Sequence, residues 1–228
     1  MRSFWRTLDR RTLRDIGLVC LADAIAGASF GALATSGGLR PWVPVTMSVL
    51  VFAGGAQFAA AAVVLGGGSP VAAVIAGLLL NTRLLPYGFA VADAIDDSWP
   101  ARLAGAHLIT DETLAFALRP YGKNQRRAAF WICGVVLFTC WNVSVLIGAL
   151  AGTALADPGA LGLDAVLPTV LLVLVLPLLG DRRTRGAALT GAVIAVAAVP
   201  FLPAGLPVLL ALAGLVLALP VPAGRETA

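Results

Sequence analysis

The sequence predicts an all-α, polytopic membrane protein with about seven or eight transmembrane or re-entrant helices and a cytoplasmic N-terminus. Three observations predict it. Only 12% of the 228 residues are charged and 59% are hydrophobic, whereas a soluble domain carries about 25% charged residues. The charges are gathered into short clusters, the arginines at the N-terminus, around 123–127 and around 182–185. Between the clusters run Leu/Val/Ala stretches, several of them near the roughly 20 residues a helix needs to cross the hydrocarbon core. These runs are continuous rather than alternating over ten-residue strands, which argues against a β-barrel.

Taken in order, residues 1–15 (MRSFWRTLDRRTLRD) form a basic cytoplasmic segment with no cleavage site after it. That segment is either an amphipathic surface helix with Phe4, Trp5 and Leu8 toward lipid, or a basic tail that only sets topology. A single transmembrane domain over 16–220 follows, with spans expected at 16–36, 43–66, 70–93, 103–119, 128–152, 163–180, 186–201 and 204–220. Residues 221–228 form a short cytoplasmic tail.

Hydropathy alone would reject 103–119, which contains His107, Asp111 and Glu112. The positive-inside rule keeps it. Three crossings from a cytoplasmic start place the acidic DAIDDSW (93–99) outside. The basic GKNQRR (122–127) belongs inside, so 103–119 must cross or do something topologically equivalent. The loop with Asp157 and Asp164 then falls outside, and DRRTR (181–185) and Arg225 inside. Eight crossings satisfy every basic cluster.

Gly54-Gly55, Pro86, Pro168 and Pro177 interrupt these spans. Broken helices are tolerated at membrane depth where backbone lines a cavity, and transporters bind substrates at such breaks. Simple kinking is the alternative. Gly27/Gly31 and Gly148/Gly152 form GxxxG patterns that permit close helix approach, although chance supplies this pattern in a chain so rich in Gly and Ala. Cys20, Cys133 and Cys140 all lie in spans and read as small buried apolar residues, with no disulfide framework and no metal set.

Four polar sites lie inside the apolar runs: Asp23, Gln57, Asn81-Thr82-Arg83 with Tyr87, and His107 with Thr110, Asp111 and Glu112. Arg83 is the most costly. A guanidinium at the centre of a span costs about 2.5–3.5 kcal/mol or more and does not lose its proton, so it needs a partner, a water-filled cavity or a ligand. Spacing puts Arg83 and Tyr87 on one helix face, and likewise His107 with Thr110 and Asp111. Asp111 and Glu112 diverge by about 100° on an unbroken helix, so one of them binds while the other pairs with Arg83 or Arg102, unless the helix is broken there. Each group also has a structural reading: an Arg–Asp pair holding helices in register, Gln57 as interhelical glue, Asp23 near the interface, His107 near the outer surface. Together they suit a zwitterion. Arg83 and Tyr87 would hold a carboxylate, Asp111 or Glu112 an ammonium, and the apolar surroundings an aliphatic side chain. An acid loaded from one side, with Asp23 as the coupling candidate, or His107 as a proton carrier, would couple transport to a proton gradient.

At these residues the chain resembles the AzlC-type branched-chain amino acid transport proteins. SVLVFAGGAQF (48–58) looks like the family's small residues before Gln-Phe. LLLNTRLLPYG (78–88) resembles its Asn/Asp, Arg and Tyr-Gly pattern, and LITDETLAFAL (108–118) its Thr-Asp-Glu signature. GALATSGGLRP (31–41) and VLPTVLLVLVL (166–176) fit as well, so the resemblance covers nearly the whole chain. It implies export, or at least transport, of branched-chain amino acids such as valine and leucine. It also implies a small AzlD-like membrane subunit and residence in a bacterial plasma membrane. It carries over Gln57, Asn81, Arg83, Tyr87, Asp111 and Glu112 as substrate-site positions. Leu84 departs from the His that many relatives place after the Arg, and Asp23 falls where relatives commonly have apolar or aromatic residues.

Other classes fit less well. There is no HExxH, no Ser/His/Asp set and only one histidine, so the chain does not read as an enzyme. GGGSP (66–70) lacks the lysine of a P-loop, so it does not read as an ATPase. The net charge of +4 reflects topology rather than nucleic-acid binding, and no cofactor is expected. A passive channel or a permease subunit driven by a separate ATPase stays open as an alternative.

Overall fold

A computed structural model describes residues 7–95, 98–154, 176–202 and 210–218, with Leu172 and Pro207. Expectations for Phe4, Trp5, Asp157, Asp164, Pro168 and the 221–228 tail lie outside the described residues. The described elements are helical throughout: α1 (Arg10–Ser36), α2 (Trp42–Leu50), α3 (Gly54–Leu65), α4 (Pro70–Asn81), α5 (Leu84–Val91), α6 (Trp99–His107), α7 (Asp111–Ala117), α8 (Lys123–Ala154) and α9 (Arg182–Ala198). Short 3-10 turns cover Ala92–Ala94, Leu176–Gly180 and Ala211–Ala218. The chain is a multi-pass α-helical membrane protein.

Helix starts follow the local sequence. Asp9 caps α1, accepting from the Thr12 amide at 3.3 Å. Ser69 caps α4 ahead of Pro70, whose missing N–H costs nothing in the first turn. Asp181 caps α9 by accepting from the Thr184 amide and hydroxyl, and the amide bond holds its carboxyl below the usual range.

The scaffold is α1 packed along α8. The two helices run parallel, as their contacts advance together. Thr12 meets Tyr121 at 2.6 Å and Asp15 pairs with Arg119 at 3.0 Å. Further along, Gly27 meets Trp141 and Ser144, Gly31 meets Val145 and Ala149, and Gly152 meets Ala32 and Thr35. Both GxxxG patterns therefore form the seam. A Cβ on Gly31 would lie 2.6 Å from the Ala149 nitrogen, and one on Gly148 2.7 Å from the Ala28 carbonyl carbon. Leu8 packs into this core, 7% exposed, rather than toward lipid.

Two expected crossings are instead hairpins. The 43–66 segment breaks between Leu50 and Gly54, and 103–119 between His107 and Asp111. Helices of 9, 12, 9 and 7 residues are each too short for a core that takes about 20. The ends of each hairpin also return to one side. Leu65, closing α3, lies against Gly37, just past α1. Arg126, in the first turn of α8, pairs with Asp93 at 3.0 Å and donates to the Ala90 carbonyl. Asp93 is therefore at the same end as the start of α1 and 119–127, not opposite them.

This corrects the expected order of crossings. Among the described residues three helices are long and apolar enough to span: Arg10–Ser36, Pro70–Ala94 and Lys123–Ala154. α2–α3 starts and ends near the C-terminal end of α1, and α6–α7 near its N-terminal end. The basic clusters constrain only parity, and two re-entrant hairpins preserve it as well as two crossings do. α1 also takes in residues 10–15, expected to belong to the N-terminal segment.

Candidate functional site

Three helix interruptions meet beside the middle of α8: the non-helical Val51–Ala53 and Leu108–Thr110, and Thr82–Arg83, where the backbone keeps helical angles within the Pro70–Ala94 span. Between them lies a cavity of about 90 Å³, room for several waters. α1 contributes Asp23 and α3 contributes Gly54, Gly55 and Phe58. Arg83, Asp111 and Glu112 come from the other two breaks, and Leu137 and Trp141 from α8.

Each break has a local cause. Ending α2 leaves the Val51 carbonyl without a helical partner. The Gln57 amide nitrogen donates to the Val51 carbonyl at 2.8 Å and the Met47 carbonyl at 3.3 Å, and its oxygen accepts from the Trp141 indole at 3.2 Å. Gly54 passes so close to Trp141 that a Cβ would lie 2.9 Å from the ring. At the second break Pro86 has no N–H to return to Thr82. At the third, Thr110 and Thr113 form a reciprocal capping box. The Thr113 hydroxyl, wholly buried, also donates to the Leu108 carbonyl at 3.0 Å. The Thr-Asp-Glu-Thr run is thus a helix start.

The central contact is an ion pair. Arg83 Nη2 lies 2.9 Å from Asp111 Oδ2, and the Tyr87 hydroxyl donates to Asp111 Oδ1 at 2.9 Å. Arg83 and Tyr87 share a face, as their spacing predicts, and one carboxylate serves both. The side chains of Arg83 and Asp111 are 41% and 39% exposed, so this chain alone does not seal them.

Because α7 begins at Asp111, both Asp111 and Glu112 reach the cavity. His107 and Asp111 belong to different helices, so their expected shared face does not exist. His107 ends α6 against Phe138 and Phe52, with centroids 5.6 and 6.2 Å away, outside the cavity lining. Gln57 is wholly buried and also outside the lining. Its polar atoms hold the first break together, and the sequence alternative of an interhelical hydrogen bonder matches that geometry. Asn81 ends α4, part-buried and off the lining. Sequence reasoning missed Trp141 and Phe52, apolar in pattern and recognisable only once the breaks are assembled.

Among the described residues no group of three or more His, Cys, Asp and Glu is placed to hold a metal ion. Cys20 and Cys133 are buried free thiols and Cys140 is part-buried and free.

Residues 19–155 match the family model described as AzlC protein. The chain belongs to the AzlC family. The match runs from α1 to just past α8 and so contains all three breaks. An AzlC relative from Bacillus subtilis, named branched-chain amino acid transport protein AzlC, is 26% identical over 174 residues, 75% of this chain and 68% of its own. An uncharacterized membrane protein of Helicobacter pylori is 28% identical over 205 residues, 88% of this chain and 89% of its own. One from Archaeoglobus fulgidus is 30% identical over 169 residues, 72% of this chain and 73% of its own. No solved structure matches the chain.

Proposed function

We propose that this AzlC chain is the large subunit of a two-component secondary transporter that exports branched-chain amino acids such as valine and leucine. The observation that carries the reading is the meeting of three helix breaks around one cavity that holds the Arg83–Asp111 pair. Interrupted helices expose backbone groups, and such backbone is stable at membrane depth only in a protein-lined or watered cavity. The name of the Bacillus subtilis relative supports the substrate class.

Arg83 and Tyr87 offer a cation and a hydroxyl for a carboxylate, and the Asp111 carboxylate engages both. The acids lining the cavity offer a place for an ammonium, and Phe52, Phe58, Ile109 and Leu137 suit an aliphatic side chain. Of the carried-over residues, Arg83, Asp111 and Glu112 fit direct contact and Tyr87 acts beside them. Gln57 and Asn81 act from outside the cavity. A small AzlD-like subunit is part of the proposal, and the incomplete cover over Arg83 and Asp111 supports it, because a charged pair does not face hydrocarbon without cost. Carboxylates in the cavity support coupling to a proton gradient.

Counterflow in proteoliposomes tests this, with and without the small subunit and with an imposed pH gradient. Saturable exchange of labelled valine, faster with the subunit and driven by the gradient, is the expected result. Linear, unsaturable flux would indicate a channel. Flux only with ATP and a separate ATPase would indicate a permease subunit.

A further inference from the structure

The cavity is lined by Asp23, Asp111 and Glu112 against one arginine, Arg83. Their surroundings differ. Asp111 has Arg83 on one oxygen and Tyr87 on the other. Glu112 lies in the first turn of α7, where unpaired amides and the helix dipole favour a carboxylate. Asp23 has neither. It lies midway along the 27-residue α1, far from either helix end. Its Oδ2 is buried without a hydrogen-bond partner among the described residues.

A buried carboxylate oxygen with no donor is costly, and at membrane depth more so. The cost falls steeply when the group takes a proton or a cation. Around Asp23 the charged neighbours are Arg83 at the second break and Asp111 and Glu112 on α7. α3 brings Phe58, and α8 brings Leu137 and Trp141, none of which titrates in this range. The thiols Cys20, Cys133 and Cys140 lie on the same two scaffold helices. Nothing in that set supplies a second cation.

We infer that Asp23 is the acceptor for the substrate's ammonium group, and that a proton takes its place when the site is empty. This rests on the amino acid transport reading above. It makes α1 part of the recognition surface, opposite the carboxylate-binding Arg83. Because ammonium and proton compete for one carboxylate, each binding event releases a proton, O–H giving way to an N–H···O contact with no other bond changed.

The test compares leucine with its 2-oxo analogue, 4-methyl-2-oxopentanoate, which keeps the carboxylate and side chain but lacks the ammonium. Binding is measured in the same proteoliposomes, alongside proton release in weak buffer. Asp23→Asn should weaken leucine by about tenfold or more, the scale of a lost charge-assisted hydrogen bond. It should also abolish the leucine-linked proton release and leave the 2-oxo acid's competition nearly unchanged. Asp23→Glu should restore most of both leucine signals. If Asn at 23 prevents folding, Asp23→Ser is read the same way. Equal losses for leucine and the 2-oxo acid, or no loss for leucine, would overturn the assignment alone. A wild-type chain that binds no branched-chain amino acid would overturn the transport reading and this one with it.

Discussion

Arg83 and Asp111 each remove the other's largest penalty. Their pairing has two consequences that separate structure from recognition. Arg83→Gln strands Asp111, and Asp111→Asn strands Arg83, so each single change should lower thermal stability. The double change leaves two neutral groups and should recover much of that loss, because replacing both members of a pair is far less costly than removing one. If the pair only held α5 against α7, transport would recover along with stability. The expectation is that it stays abolished, as measured by valine counterflow beside the melting temperature. Gln57 behaves differently. Gln57→Leu leaves the Trp141 indole without its partner, at about 1–3 kcal/mol, and takes the side-chain donor from the Val51 and Met47 carbonyls, which keep the Ala53 and Val51 amides. The melting temperature and the amount of folded protein should fall, while the KM for valine on the surviving protein stays near the wild-type value. A rise in KM at normal stability would instead give Gln57 a substrate contact.

Among the elements, the α1–α8 seam depends on bare backbone. At Gly31 any side chain meets the Val145 carbonyl and the Ala149 nitrogen, and backbone cannot step aside as a flexible side chain can. Gly31→Ile should therefore part the helices at a cost of about 1–3 kcal/mol or more, read as a fall in melting temperature. The same change at Gly17, whose Cβ position has nothing within 4 Å, should be close to neutral. The breaks show which local signals are legible. Gly54-Gly55 and Pro86 are visible in the sequence as helix-weakening residues, and they lie within a turn of real interruptions. The Thr110–Thr113 box is equally visible in LITDET but is easily taken for a set of site residues, because Thr, Asp and Glu serve both as caps and as ligands. Spacing rules for one helix face then fail at His107 and Asp111, since the face they assume is cut between them.

For the whole molecule, the two hairpins set the route of the chain. Among the described residues as far as Ala154, three helices long enough to span and two hairpins put Ser98 at the same end as the start of α1 and Gly67 at the other. Five successive crossings reverse both. Single cysteines at these two positions, in a background without the native three, decide between them by labelling with an impermeant maleimide in intact cells. Ser98→Cys should be protected until the membrane is opened, and Gly67→Cys should label at once.

The sequence by itself determined the solvent, the helical class, the parity of the basic loops and the polar groups that need company inside the membrane. These follow from composition and short-range pattern, because burying charge or unpaired backbone in hydrocarbon is prohibitive wherever it occurs. It also marked the Arg83–acid pairing, since two intramembrane opposite charges have few other ways to be stable. Only the tertiary structure decided that 43–66 and 103–119 turn back instead of crossing. Hydropathy measures how apolar a segment is and not where its ends are tied, and those ends are fixed by Leu65 against Gly37 and Arg126 against Asp93. The tertiary structure likewise separated Gln57 from the cavity and left Asp23 within it, because a side chain's partners come from helices distant in sequence.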